Sequence, residues 1–151
     1  MDSIASTLSM KLLSNGYNTA FVYLPRPIQC RTFDDCKKAL AQVGEHVAQD
    51  GTPASLGPIV FAIIGTGRVA TGAVDVLKAM NVEWVQPEDL KALVSSPDTS
   101  LNKLYAVQFA AKDYLRAKDG SGFDRSDYRA HPDKYRSVFA EEVCYLRTSV
   151  K

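Results

Sequence analysis

The stretch Gly65-Thr66-Gly67-Arg68-Val69-Ala70-Thr71-Gly72-Ala73 holds the residue types and spacing in this chain that could do chemistry. It directly follows the apolar run Pro58 to Ile64 and directly precedes residues with helical spacing. In such a turn one glycine permits a sharp bend, a second lets the backbone approach an anion, and a small third residue lets helix and strand close up. Gly65, Gly67 and Ala70 fill those three places, with Thr66, Arg68 and Val69 supplying the rest of the loop and first helical turn. Unsatisfied N–H groups and the positive end of a helix dipole would then face a diphosphate. Residues 58 to 80 are therefore expected to hold the pyrophosphate of a pyridine dinucleotide. The competing reading is a plain structural turn in an unrelated α/β protein.

Two further residues bear on the cofactor. Arg68 fits a charge-assisted bond to phosphate, and fits equally an arginine solvated on a first helical turn. The carboxylate that usually meets an adenosine ribose is expected about 20 residues beyond the turn, and Gln86 occupies that place. Glu83 falls inside a short strand, and Glu88 and Asp89 read as first-turn helix carboxylates. NADP and NAD both stay open, with the missing carboxylate leaning to NADP.

Other chemistry finds little support. His46 lies on the polar side of a helix and His131 precedes Pro132 at a helix start, where capping or surface duty outweighs acid–base work. The cysteines Cys30, Cys36 and Cys144 form no CxxC pair and have no neighbouring ligand histidines, so neither a disulfide framework nor a structural zinc is expected. Trp84 and the tyrosines read as core or sheet residues rather than a stacking platform, and no Ser-His-Asp constellation is visible.

The elements that must position the turn follow from periodicity. Ile4, Leu8, Leu12 and Leu13 predict a helix closed by Gly16, and Ala20 to Leu24 a strand or extended link stopped by Pro25 and Pro27. Thr32 with Asp35 predicts the capped start of a helix whose stripe is Phe33, Leu40, Val43 and Val47, ended by Gly51. Gly51 to Pro58 reads as a connection or hinge. Pro58 to Ile64 reads as a strand buried on both faces, the best core strand of the chain. A helix to Met80, a strand Val82 to Val85, a helix opened by Pro87 and a strand at Leu104 to Phe109 continue an alternating order. Ala110 to Gly122 reads as a polar loop, and a final helix is expected from Pro132 to Val143 with Tyr135, Val138, Phe139 and Val143 inside. The fold expected is α/β, a Rossmann-like parallel sheet with flanking helices, and incomplete. The organisation expected, with the family resemblance given below, is a helical linker region over residues 1–57 and a partial dinucleotide-binding domain over residues 58–151.

Length and composition bound the rest. A chain of 151 residues, 46% apolar, 23% charged and carrying a formal net charge of +1, is an ordinary globular chain of single-domain size. Lys and Arg form no dense cluster, which argues against nucleic acid and against an anionic membrane surface. No apolar run approaches the roughly 18 residues of a spanning helix. The N-terminus lacks a signal pattern, so a cytoplasmic location is expected, or a mitochondrial one if a targeting segment is missing.

Pro58 to Ala73 resembles the nucleotide-binding segment of lysine-ketoglutarate reductase, the saccharopine-forming half of bifunctional aminoadipic semialdehyde synthase. Leu12 to Leu24, the helix ending at Gly51, Val85-Gln86-Pro87-Glu88-Asp89-Leu90 and Phe123 to Tyr135 are similar to the same family in the same order. The Gly65 to Ala73 motif is shared with alanine dehydrogenase and transhydrogenase relatives, whereas Asp-Tyr-x-x-His-Pro-x-x-Tyr is more particular. The resemblance implies a two-lobed oxidoreductase in which NADPH or NADH reduces an imine of lysine and 2-oxoglutarate to saccharopine. It also implies that the substrate lobe, with its lysine and histidine acid–base groups, falls before residue 1. No catalytic residue is therefore carried over, and the chain is expected to be inactive alone. Arg68, Ala70 and Cys144 to Lys151 depart from the family pattern. The alternatives are a noncatalytic dinucleotide-binding or regulatory module, partnered by a full-length homologue or a second copy, and a nonfunctional remnant.

Overall fold

The computed structural model describes residues 21, 24–54 and 56–143. The helix expected over Asp2 to Gly16, most of the Ala20 to Leu24 segment and the tail from Cys144 lie outside the described residues. Of the second, Phe21 and Leu24 are described, and both are buried.

Helix α1, Phe33–Asp50, starts as the sequence predicts. The Asp35 N–H donates to Thr32 Oγ1 at 3.1 Å and the Thr32 N–H donates back to Asp35 Oδ2 at 3.2 Å, so each of two orphan donors finds an acceptor. Its end is Gly51 at φ 74°, a left-handed conformation that favours glycine. Leu40, Val43 and Val47 face inward with Cys36, while Phe33 stays on the surface under the Lys37 ammonium, 5.1 Å from its ring centre.

The sheet contains β1, Ile59–Ile64, β2, Glu83–Val85, and β3, Leu104–Phe109, all parallel and ordered β1-β3-β2. Register pairs Ile59 with Leu104 through Ile64 with Phe109 on one side, and Glu83 with Tyr105 through Val85 with Val107 on the other. This corrects the expectation that the Pro58 to Ile64 run is the doubly buried core strand. That role belongs to β3, in which all residues but Gln108 are buried, whereas β1 buries only Ile63 and leaves Ile64 51% exposed. Unbroken apolar sequence reports the chemistry of both faces and says nothing about how many neighbours a strand has. Among the described residues β1 pairs on one edge only.

Helix α2, Arg68–Ala79, crosses from β1 to β2, and α3, Leu90–Ser95, returns from β2 to β3. They cover opposite faces. Leu104 and Ala106 of β3 share one core with Leu40, Val43 and Val47 of α1 and Val76 and Leu77 of α2. Val107 and Phe109, pointing the other way by the two-residue alternation of a strand, meet Leu90 and Val94. Close approach of α1 to the end of α2 depends on Gly44, where a Cβ would collide with the Met80 carbonyl.

After β3 the chain departs from expectation. The presumed polar loop contains α4, Ala111–Tyr114, and β4, Leu115–Ala117. The presumed helix from Pro132 is a turn over Pro132–Lys134, then β5, Tyr135–Ser137, antiparallel to β4, then α6, Phe139–Glu142. Tyr135 and Val138 are buried and Phe139 packs beside Phe109, as their apolar character demands. Their spacing imitates a helical stripe, but two short elements deliver them instead of one. Leu115 and Ala117, buried on either side of exposed Arg116, show the strand alternation that gives β4 away. Arg116 and Arg136 stand opposite each other in this pair and are each met by a glutamate, Glu142 at 3.2 Å and Glu141 at 3.1 Å.

Candidate functional site

β1, β2 and β3 run parallel, so their carboxyl ends gather Gly65, Gln86 and Phe109 at one end of the sheet. From β1 the chain leaves for α2 on one face. From β3 it leaves for α4, whose Tyr114 packs into the cluster on the other face. Departures to opposite faces open a crevice between the ends of adjacent strands, the place where open α/β sheets take ligands.

The glycine turn stands on that crevice and is tied down. The Gly65 N–H donates to the Phe109 carbonyl at 2.8 Å, and the Gln108 amide Nε2 donates to the Gly65 carbonyl at 2.9 Å. Gly65 has φ +101°, which L side chains rarely adopt, so the backbone itself demands glycine. Gly67 is different. Its φ of −85° and ψ of −173° suit any residue, and a Cβ built there meets nothing within 4 Å. Neither strain nor packing within the chain explains a glycine at position 67.

Gly67 is the N-cap of α2 and offers no side chain to the first-turn amides. Thr71 donates its N–H and its hydroxyl back to the Gly67 carbonyl, at 3.0 and 3.2 Å. Thr66, Gly67, Arg68 and Val69 are all exposed, Val69 at 64%, and Arg68 makes no ion pair among the described residues. Ala70 is buried, consistent with the small residue needed where α2 lies on β1. An uncapped helix start of this kind presents several N–H donors and a positive dipole end to solvent.

Gln86 is exposed at the carboxyl end of β2, and its carbonyl accepts from the Asp89 N–H at 3.1 Å. Because β3 stands between β1 and β2, Gln86 is two strand spacings from the glycine turn, about 10 Å along the sheet. The residue that sequence reasoning missed is Gln108. One amide inside the apolar strand Leu104–Phe109 is the signal that could have found it.

The other motif, Asp124 to Tyr135, builds a knot of its own. Asp124 Oδ1 caps α5, Arg125–Ala130, by accepting from the Asp127 N–H at 2.7 Å. The Tyr135 hydroxyl lies 3.1 Å from Asp127 Oδ2, and the rings of Phe123, Tyr128 and Tyr135 cluster at centroid distances of 5.3–5.9 Å, with Tyr135 meeting each of the other two edge to face. Lys134, 3.1 Å away, holds the Asp127 carboxyl below its usual range, and the Tyr135 hydroxyl helps. His131 is exposed between α5 and the Pro132–Lys134 turn and caps neither with its side chain. A cavity of about 330 Å³ on the α3 side, lined by Pro87, Leu90, Phe109, Lys112, Phe139 and others, excludes the glycine turn. No cluster of three metal-ligating side chains occurs among the described residues, and none of their helices is long and apolar enough to cross a membrane.

No family model matches the chain. It is similar to alpha-aminoadipic semialdehyde synthase of Arabidopsis thaliana, 33% identical over 146 residues, covering 90% of the chain and 14% of that protein. The mitochondrial alpha-aminoadipic semialdehyde synthases of Rattus norvegicus and Mus musculus are 28% and 27% identical over 148 residues, 98% of the chain and 16% of each relative. The chain thus spans about one-sixth to one-seventh of the length of the curated relatives it matches.

Proposed function

We propose that this chain, homologous to one segment of the alpha-aminoadipic semialdehyde synthases, supplies the dinucleotide-gripping part of a saccharopine-forming lysine-ketoglutarate reductase and is inactive alone. In that assignment residues 58–151 are part of the cofactor lobe and residues 1–57 lead into it. The observation that carries the reading is Gly67, a glycine that the chain's own geometry does not require, at the uncapped start of α2 beside the sheet's crevice. A Cβ there would fill the space that a diphosphate needs.

Gly65, Thr66 and Gly67 would hold the diphosphate through their backbone, and the amides of Arg68, Val69 and Ala70 would complete the grip at the helix start. The Arg68 guanidinium reaches outward from the same turn and adds a cation. Gln86, beyond β3, is assigned to the adenosine side. When bound, NADPH or NADH would supply the hydride that reduces an imine of lysine and 2-oxoglutarate. The backbone amides of this turn, with the Arg68 side chain, would orient that cofactor and keep its phosphates paired. The proton donor and the groups that hold the imine are assigned to another lobe, so positioning, the larger share of such catalysis, needs more than this segment. The mitochondrial location in the relatives' names makes the mitochondrion the proposed compartment.

Titration of the purified chain with NADPH and with NADH, followed by nicotinamide fluorescence, tests the proposal. Saturable binding without lysine-dependent oxidation of the cofactor is expected. Absence of binding to either cofactor removes it.

A further inference from the structure

Among the described residues β1 has β3 on one edge and no neighbour on the other. Alternate residues of a strand turn their N–H and C=O groups to each edge, so the open side of Ile59–Ile64 is a row of donors and acceptors that a further strand would satisfy in register. Edges left open in native proteins are ordinarily short, charged, bulged or broken by proline. The other described strands follow that rule: β2, β4 and β5 are three residues long and carry Glu83, Arg116 and Arg136. β1 does not. It is six uncharged residues, pairs with β3 along its whole length without a bulge, and leaves Ala62 and Ile64 exposed.

We propose that the open edge of β1 docks a second copy of this chain, β1 against β1, joining two three-stranded sheets into one continuous sheet. The occupant follows from matching. A strand that complements this edge is equally long, apolar on both faces and open on one side. Among the described strands β1 alone has all three properties, so the matching surface is its own copy. Two identical edges related by a twofold axis meet antiparallel.

The pleat fixes the register. Phe61 and Ile63 face the core shared by α1 and α2, while Val60 faces the other cluster, with Leu90 and Phe109. An axis normal to the sheet keeps like faces together, and residues directly opposite in an antiparallel pair share a face, so the axis passes through a residue and not between two. Placed at Phe61, it leaves Ile64 beyond the ladder. Placed at Ala62, it sets Phe61 opposite Ile63 and Val60 opposite Ile64, which covers a side chain otherwise 51% exposed. Ala62 then faces its own copy, with the two Cβ atoms about 5 Å apart.

Light scattering on the eluting chain, over a range of concentrations and without nucleotide, reads the assembly. Twice the chain mass is expected and nothing larger, since the pairing consumes the long open edge of each copy. Ala62→Lys sets two ammonium groups opposite each other and should raise the dimer dissociation constant by about tenfold or more, with the circular dichroism unchanged. Under mild oxidation Ala62→Cys should form an intermolecular disulfide between the substituted positions, mapped by peptide mass spectrometry. Ile64→Cys, whose copy lies toward the far end of the paired strand, should not. A monomer at every concentration, as when residues 1–20 or 144–151 of the same chain cover the edge, overturns the proposal. So does an open series of larger species, or a dimer that Ala62→Lys leaves intact. Absence of the disulfide at position 62, or its formation at position 64, also overturns it, and decides alone if Ala62→Lys fails to fold. Neither measurement involves a nucleotide, so failure here leaves the cofactor reading standing.

Discussion

Replacing Gly67 by aspartate separates a glycine that serves the fold from one that serves a ligand. Aspartate fits the backbone, because φ −85° and ψ −173° are ordinary extended values and the added Cβ meets nothing within 4 Å. It also improves the helix. Aspartate caps better than glycine by a few tenths of a kcal/mol. A negative charge at a helix N-terminus adds roughly 0.3–1 kcal/mol. Stability should therefore rise by about 0.5–1 kcal/mol, a few degrees in Tm for a chain of this size. Binding should move the other way. A carboxylate about 5 Å from one phosphate charge is repelled by roughly 1–3 kcal/mol for an effective dielectric between 80 and 20. The central value of about 2 kcal/mol weakens Kd around thirtyfold. The assay is paired: melting by circular dichroism, and titration with NADPH and NADH. A variant that melts at or above the parent and binds at least tenfold more weakly meets the expectation. A variant that is equally stable and binds within twofold of the parent would refute the reasoning, since no diphosphate could then sit where the carboxylate is.

Three other outcomes follow from the same geometry. Gln108→Leu removes the donor to the Gly65 carbonyl; it should lower stability by about 1 kcal/mol, read by urea unfolding, and weaken both dinucleotides several-fold. Gly44→Ala gains about 1 kcal/mol of helix propensity, but its methyl strikes the Met80 carbonyl. Overpacking of roughly 2–3 kcal/mol should leave a net loss of about 1–2 kcal/mol in urea unfolding. Burial raises the Tyr105 phenol and the bond to Glu83 raises Lys103. Raised values contribute stability that is complete below the unfolded pKa values, about 10, and is lost as pH climbs through the folded ones. Tm should therefore fall above about pH 10, and fall less steeply in Tyr105→Phe.

The sequence spoke clearly wherever a local rule sufficed. Thr32 with Asp35, the inward stripe of Leu40, Val43 and Val47, and Gly51 mark α1 without reference to anything distant, and the structure agrees. The alternation of strands and helices likewise implied a parallel sheet, and one is present. Strand order was not legible, because no residue in β1 records that β3 and not β2 lies beside it. The Tyr135 to Val143 segment failed for a related reason: apolar residues three, one and four positions apart satisfy a helical template, while backbone pairing with Leu115–Ala117 decides otherwise. At the site, Gly65 and Gly67 look alike in sequence. Only φ values distinguish the glycine forced by the turn from the one whose backbone would accept any residue.

That strand order also divides the proposed cofactor grip into two separable parts. The glycine turn is fastened twice to β3, through the Gly65 N–H and the Gln108 amide, so it is formed before any ligand arrives and needs no ordering on binding. Gln86 shares no hydrogen bond with it and stands across β3 at the end of a three-residue strand. Contacts to a diphosphate are the same for NADP and NAD, which differ only at the adenosine ribose. Changes at Gly67 or Gln108 should therefore weaken both cofactors by the same factor and leave their ratio untouched. A change at Gln86 should do the reverse: Gln86→Glu, which restores a carboxylate for ribose hydroxyls and repels a ribose phosphate, should shift preference toward NADH by about tenfold with little effect on stability. Competition titrations with both cofactors measure the ratio directly. A Gln86→Glu variant whose ratio does not move would place adenosine discrimination elsewhere, with the diphosphate grip at the glycine turn left standing.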